Sequence, residues 1–269
     1  MNYPQLTFTA QDLSLPDLLQ ALEQAGCVRI NGLFPQAVMT NLAQWSESAF
    51  AQFDYQRLTD TLDPLLKDYF ALVPHMINHL PGACLHLFKG DSDFLYKLFL
   101  ASPLPDILHA LYRGPFLYSS IHAVIRRQTL KEPQWYTGFH QDGHFLNPDW
   151  KFLHCWSPLV SCGVDRPGLE LIPAGLKAIR PLSQKPFRGE HFYDNRDLDL
   201  ESEILPYFPA ESFWMEPMQP GDALFYDSFC LHRTYLTSEM TQPRYNLEMR
   251  FLPAVDLPAE IAQLGFIRV

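Results

Sequence analysis

Three residues of this chain could together hold a divalent metal. His140 and Asp142 stand two apart in Phe139-His140-Gln141-Asp142, and His232 follows about 90 residues later. The pair alone says little: ten histidines and eighteen aspartates in 269 residues place about 0.7 such triplets in the chain by composition. The setting adds more. In an extended segment residues i and i+2 point to one side, so His140 and Asp142 converge while Phe139 and Gln141 face away. His232 ends the run Gly221-Asp222-Ala223-Leu224-Phe225-Tyr226-Asp227-Ser228-Phe229-Cys230-Leu231-His232, where a Gly-Asp turn opens an apolar strand that delivers the imidazole. Two imidazoles and one carboxylate on one face, with three positions open, form the ligand set of oxygen-activating non-haem iron(II). Taken singly, the pair fits a solvent-facing loop and His232 a core histidine; the three together point to a metal.

Such residues need a scaffold that brings distant segments together. The first 110 or so residues read mainly as helix. Ser14-Leu15-Pro16-Asp17 has the form of a capping box, and Gly26 stands where a helix would stop. Val28-Arg29-Ile30 reads as a short strand before an Asn31-Gly32 turn. A second helix over 35–51 carries Val38, Leu42, Trp45 and Phe50 near one face. Shorter helical patterns recur at 65–72, 94–100 and 104–112. After Gly114 the texture changes to strand-like runs at 116–126, 150–160, 169–172, 223–225 and 245–252, separated by Pro and Gly. Between two of them, 183–219 is polar, proline-bearing and acid-rich, and too long for an ordinary loop; it reads as a mobile insertion over a pocket mouth, with few buried apolar contacts. The organisation expected is a single domain over 1–269, with a helical support layer at 1–112 and a β core at 113–255 that carries the insertion.

Composition narrows the function classes. Hydrophobic residues make up 47% and charged residues 19%, enough apolar material for a large core. A net charge of −10 disfavours nucleic-acid binding, which needs a clustered positive surface. The five cysteines (27, 84, 155, 162 and 230) include no C-x-x-C pair, so neither a disulfide framework nor a structural zinc site is expected, and a reducing, cytoplasmic compartment fits. The first residues lack the basic and apolar regions of a secretion signal. No apolar run approaches the roughly 18 residues that a membrane span requires. G-x-S-x-G, G-x-G-x-x-G and H-E-x-x-H are all absent, and Gly138 to Gly143 has P-loop spacing but is followed by His144 and Phe145 instead of Lys and Ser/Thr. The expected partner is a small-molecule substrate, with no nucleic acid and no membrane; oligomeric state has no signature.

Four pieces then fall in one order: Phe139-His140-Gln141-Asp142, Gly168-Leu169-Glu170-Leu171-Ile172-Pro173-Ala174-Gly175, the Gly221 to His232 run, and Pro243-Arg244-Tyr245-Asn246. Over roughly 115–252 the chain resembles the phytanoyl-CoA dioxygenase family of iron(II)/2-oxoglutarate oxygenases. That resemblance implies a mainly β fold, a double-stranded β-helix (jelly-roll, cupin-like) core with the N-terminal helices packed outside one sheet. It implies iron(II) on His140, Asp142 and His232, with 2-oxoglutarate as cosubstrate, O2 as oxidant and ascorbate as supporting reductant. The implied reaction is hydroxylation of a small-molecule C–H bond, with release of succinate and CO2.

The far carboxylate of 2-oxoglutarate calls for a planar, permanently charged, bidentate partner, which is arginine and not lysine. Arg244, Asn246, Glu248 and Arg250 alternate with Tyr245, Leu247, Met249 and Phe251, so one strand face is polar and would line the cavity. Arg244 is the expected clamp, with Thr234 and Gln128 beside it, although the family's arginine follows the second histidine one residue sooner. Arg250 lies six residues on, about 20 Å along an extended strand; it is expected far down the barrel or paired with Glu248 or another acid. His144 completes an H-x-D-x-H run, but Gly143 breaks the strand, which places His144 beside the metal and not on it. Trp135, Tyr136 and Trp156 are further pocket candidates, and Arg126 and Lys131 candidate anion contacts. Two other readings stay open: a non-catalytic binding barrel of this fold, and a zinc hydrolase using the same three ligands. An acyl-CoA would favour a basic patch that 183–219 does not offer, so a small metabolite or natural-product intermediate is the expected substrate class.

Overall fold

The computed structural model of the chain describes residues 5–51, 92–120, 123–128, 137–144, 152–182, 197–254 and 266–269. The helical pattern at 65–72, the candidates Lys131, Trp135 and Tyr136, and 183–196 of the expected insertion lie outside these residues.

Period-two patterning builds the main sheet. Eight strands contribute: β1 (Thr7–Thr9), β2 (Cys27–Asn31), β3 (Phe116–Ser119), β4 (Val124–Gln128), β5 (Leu153–Pro158), β7 (Ala223–Asp227), β9 (Arg244–Pro253) and β10 (Phe266–Arg268). Their order is β1-β2-β7-β5-β9-β3-β10, with β4 also on β9; β6 (Gly168–Ile172) and β8 (Leu231–Tyr235) form a second, two-stranded sheet. Antiparallel partners share a face, so the registers sort the side chains. Ile125 opposite Leu247, Cys155 opposite Met249 and Val28 opposite Phe225 fall on one face, within the main apolar core. Gln128 opposite Arg244, Arg126 opposite Asn246, Trp156 opposite Glu248 and His154 opposite Arg250 fall on the other.

The helices cover the apolar face. α1 (Leu15–Ala25) buries Leu18, Ala21, Leu22 and Ala25, the i, i+3, i+4, i+7 stripe of an amphipathic helix. Gly26, at φ 74°, closes it with its N–H on the Leu22 carbonyl at 2.8 Å. Ser14 is the N-cap residue, but its hydroxyl makes no capping bond; the expected capping box is replaced by a proline in the first turn and the acid Asp17. α2 (Gln36–Ala51), α3 (Ser92–Leu100) and α4 (Leu104–Tyr112) add Met39, Leu42, Leu95, Phe99, Ile107 and Leu108 to the same core. Phe99 stacks on Tyr118 with ring centroids 5.3 Å apart and meets Phe251 at 5.2 Å; full burial of such a side chain contributes about 1.5–3 kcal/mol. The jelly-roll core with helices outside one sheet is therefore present. The short strand expected at 28–30 is β2 and joins the main sheet; β1 beside it was not expected, because a three-residue Thr-Phe-Thr strand is too short to show alternation in sequence.

The insertion departs from expectation more sharply. From residue 197 it is stitched to the second sheet and the segments beside it: Trp214 bridges Leu171 of β6, Leu198 bridges Phe139 and Met218 bridges Cys162. Leu198 and Ile204 are buried with Phe139, Ile172 and Leu231, and Leu200, Phe208 and Phe213 pack against them. The acids of the segment mask this apolar spacing in sequence; Glu201 is exposed while Ile204 is buried. Residues 197–219 thus coat the outside of the second sheet and do not have the few apolar contacts of a loose lid.

The Ile172-Pro173-Ala174-Gly175 turn joins that sheet to α1. Gly175 has φ 55° and donates its N–H to the Ala25 carbonyl at 2.9 Å. A Cβ there would lie 2.0 Å from the Gln24 carbonyl oxygen, a backbone atom that cannot step aside. Gly175→Ala is expected to destabilise the fold by at least about 2 kcal/mol, combining left-handed strain with the clash, and to lower Tm by roughly 5 °C or more. A thermal melt indistinguishable from wild type would show that the turn relaxes freely.

Cys27, Cys155, Cys162 and Cys230 are buried free thiols, so among the described residues there is no disulfide. No helix among the described residues is long and apolar enough to cross a membrane.

Candidate active site

The two histidines of the expected triad are direct cross-strand partners. His140 N–H donates to the His232 carbonyl at 3.0 Å and His232 N–H to the His140 carbonyl at 3.1 Å, the doubly bonded pair that sets both side chains on one face. Their ring centroids are 4.1 Å apart. Only the first half of His-Gln-Asp is extended, however. The chain turns into a short 3-10 helix at Asp142–His144, and that turn swings Asp142 back under the imidazoles. Gln141 faces away, as the two-residue parity requires, and it is fully buried. Its amide nitrogen donates to the carbonyls of Ala178 (3.1 Å) and Phe229 (2.6 Å), and its oxygen accepts from Arg180 N–H at 2.7 Å. Gln141 is a bolt that fixes the bend.

His140, Asp142 and His232 place one ligand atom each within 4.8 Å of one another, all buried, and so could hold a metal ion. Asp142 Oδ1 is 3.4 Å from His140 Nε2 and 3.6 Å from His232 Nε2. Each ring's Nδ1 faces a backbone carbonyl two residues back: Gly138 at 2.8 Å for His140 and Cys230 at 3.0 Å for His232. A carbonyl only accepts, so each Nδ1 carries a proton and each Nε2 is the nitrogen turned to the site. Burial, followed by the neighbouring His140, brings the His232 pKa down to about 3, which keeps the ring neutral. Burial would push the Asp142 carboxyl up, but His154, His140, His232 and Arg250 around it hold it well below the usual carboxylate range. Two imidazoles and one carboxylate are a donor set suited to a divalent cation. His144 is not part of this set.

The triad sits at a cavity between the two sheets. Gln128, Trp156, Tyr226, Arg244, Glu248 and Arg250 line it from the main sheet, Leu169, His232 and Thr234 from the second, and Thr137, His140 and Asp142 from the connecting segment. No described residue of 197–219 lines it. The three expected cosubstrate residues meet there. Thr234 Oγ1 and the Gln128 amide lie 3.0 Å apart, and Arg244 donates through Nη2 to Gln128 Oε1. Arg244 also donates Nε to Asn246 Oδ1 at 3.1 Å and Nη1 to the Gly168 carbonyl at 2.7 Å, and it lies 5.1 Å above the Trp156 ring. Every one of these acceptors is neutral. Burial lowers the Arg244 pKa to about 10, which leaves it charged at neutral pH. Trp156 Nε1 is buried with no hydrogen-bond partner.

Of the two places expected for Arg250, the structure gives the second, pairing with acids: Nη2 is 3.2 Å from Glu248 Oε2 and 3.4 Å from Asp142 Oδ2, and Nε donates to His154 Nδ1 at 3.0 Å. Arg126 lines the cavity too and pairs with Glu248 at 3.2 Å. His154 escaped the sequence reading altogether. It shares its strand parity with Trp156, which was the available signal.

Known proteins resemble the chain at several levels. The 1-deoxypentalenic acid 11-beta-hydroxylase of Streptomyces arenae is 28% identical over 131 residues, 46% of this chain and 43% of that protein; the chain thus matches less than half the length of this curated relative. Among solved structures, the non-heme alpha ketoglutarate dependent epimerase SnoN from nogalamycin biosynthesis covers 89% of this chain and 81% of its own, at 14% identity and TM-score 0.58. The non-heme alpha ketoglutarate dependent carbocyclase SnoK from the same biosynthesis covers 97% and 98%, at 14% identity and TM-score 0.57. These two share the fold. The model of the phytanoyl-CoA dioxygenase family matches residues 22–238, a span that holds His140, Asp142 and His232 and ends just before β9, and the chain belongs to that family.

Proposed function

We propose that this protein is an iron(II)- and 2-oxoglutarate-dependent dioxygenase that hydroxylates a C–H bond of a small molecule, with release of succinate and CO2. The observation that carries this reading is Arg244: a buried guanidinium with only neutral hydrogen-bond acceptors, in the cavity that holds the triad. A buried charge without an opposite partner is costly, and the cost is offset when an anion enters. In this reading Arg244 grips the far carboxylate of 2-oxoglutarate, Gln128 and Thr234 complete its hydrogen bonds, and the Trp156 ring under the guanidinium keeps water out. His140, Asp142 and His232 hold the iron and leave the remaining positions for the cosubstrate and O2. Iron(II) bound there supplies the activation of O2 that no side chain can perform. A zinc hydrolase or a plain binding barrel with the same ligands has no use for a buried, unmatched arginine.

The substrate is read as a small natural-product or metabolite intermediate. The hydroxylase relative acts on 1-deoxypentalenic acid by its name, and the two solved neighbours belong to nogalamycin biosynthesis. The net charge of −10 gives no support to a nucleic-acid partner, and four buried free thiols suit a reducing cytoplasm. The test is 2-oxoglutarate turnover in air. Iron(II) with ascorbate should produce succinate in step with 2-oxoglutarate loss, and a chelator should abolish it. Absence of succinate after anaerobic iron loading, with the metal shown to be bound, would replace this reading with the binding barrel; zinc-dependent ester or amide cleavage would replace it with the hydrolase.

A further inference from the structure

We propose that Arg250 is a positioning residue for the metal-binding carboxylate: it holds the outer oxygen of Asp142 so that only Oδ1 is presented to the two imidazoles. The inference rests on the metal-site reading above and extends it to a residue outside the triad.

The two oxygens of Asp142 have different surroundings. Oδ1 faces His140 and His232 Nε2 at 3.4 and 3.6 Å, while Oδ2 faces Arg250 Nη2 at 3.4 Å and His154 Nδ1 at 3.2 Å. Arg250 is itself fixed from two further sides. Its Nε donates to His154 Nδ1 at 3.0 Å, and His154 lies flat on Tyr226, with ring centroids 4.9 Å apart and planes 6° from parallel. Its Nη2 also meets Glu248 Oε2 at 3.2 Å, and Glu248 is held in turn by Asn246 and Arg126. Arg250 is buried, 6% exposed, so its guanidinium is held by these partners and not by water.

The chemistry gives this arrangement a purpose. A carboxylate free to rotate can chelate a metal through both oxygens and so occupy two coordination positions. A site that must also take a bidentate cosubstrate and O2 has room for one oxygen only. A hydrogen-bonded cation on Oδ2 withdraws that lone pair and stops the rotation. Only a fork can do this while also reaching His154, because Nε and Nη2 lie on one edge of the guanidinium. Lysine supplies charge without that edge. The two arginines of β9 therefore divide the cavity: Arg244, with neutral acceptors, is left for an incoming anion, and Arg250 is committed to Asp142 and Glu248.

The test is anaerobic titration of the metal-free full chain with Co(II), read by its visible ligand-field spectrum, alongside circular dichroism melts. Arg250→Ala is expected to bind Co(II) 10–100-fold more weakly than wild type with a shifted spectrum, and millimolar guanidinium chloride, too dilute to unfold the protein, should restore both. Arg250→Lys, which keeps the charge and is the variant to rely on if the alanine protein does not fold, should keep a native melt yet still show the altered spectrum. Arg244→Leu should bind Co(II) as wild type does. Wild-type Co(II) affinity and spectrum in a folded Arg250→Lys overturn the proposal, and so does equal loss of Co(II) in the Arg244 and Arg250 variants. Failure of the wild-type chain to bind Co(II) is a separate outcome: it removes the metal-site reading and this proposal with it.

Discussion

Asp142→Ala should abolish 2-oxoglutarate turnover while the protein stays folded. The only carboxylate of the donor set disappears, and two imidazoles without a carboxylate bind a divalent cation poorly. A loss of at least about 1,000-fold in succinate formation, equivalent to roughly 4 kcal/mol, is the expected effect. Folding should survive, because the guanidinium that faces Asp142 keeps a second acid: Arg250 Nη2 remains 3.2 Å from Glu248 Oε2, so its buried charge is not stranded. The measurement is succinate release and Co(II) titration on the same preparation, with a melt to confirm the fold. Turnover within tenfold of wild type would mean that the metal, if bound, is held elsewhere.

Arg244→Leu should have the second largest effect, and on a different quantity. It removes the charge and the fork that the far carboxylate requires, so 2-oxoglutarate should bind more weakly by roughly 2–4 kcal/mol, the cost typical of breaking a buried charge-assisted pair. Metal binding should be unchanged. The ligand-free variant should melt within a few degrees of wild type, because an isolated buried guanidinium contributes little net stability and leucine fills much of its space. Isothermal titration of 2-oxoglutarate into the Co(II)-loaded protein measures this directly. Normal affinity in Arg244→Leu, together with lost affinity in an Arg250 variant that still binds Co(II), would transfer the clamp from one arginine to the other.

Parts of this site were legible from residue order alone. Parity along β9 separated Arg244, Asn246, Glu248 and Arg250 from Tyr245, Leu247, Met249 and Phe251, and the structure keeps that division: the first set is polar and buried on the cavity side, and the second set lies in the core. The His-Gln-Asp triplet and the late histidine were readable because metal chemistry restricts residue type; the strand parity expected to bring Asp142 to the same side ends at the turn over Asp142–His144. Asn246, tied to Arg244 and to Glu248, follows from the parity along β9. The segment 197–219 misled because its acids dominate composition, while the positions that matter are the spaced apolar ones, Leu198, Ile204 and Phe213.

Tertiary structure decided the rest. Parity assigns a face but not a register between strands far apart in sequence, and it says nothing of how far long side chains reach along the cavity. Arg250 meets Asp142 across 108 residues of chain and His154 across 96, which no local spacing encodes. The turn at Asp142–His144 rotates the carboxylate toward the imidazoles and is itself held by Gln141 against carbonyls 37 and 88 residues away. The proton positions on His140 and His232 depend on carbonyls that face their rings only once the strands have paired. Sequence thus determined which residue types share a face, because strand geometry is local. The pairing of distant strands determined which of them touch, and so separated Arg244, whose hydrogen-bond acceptors are all neutral, from Arg250, which faces Asp142 and Glu248.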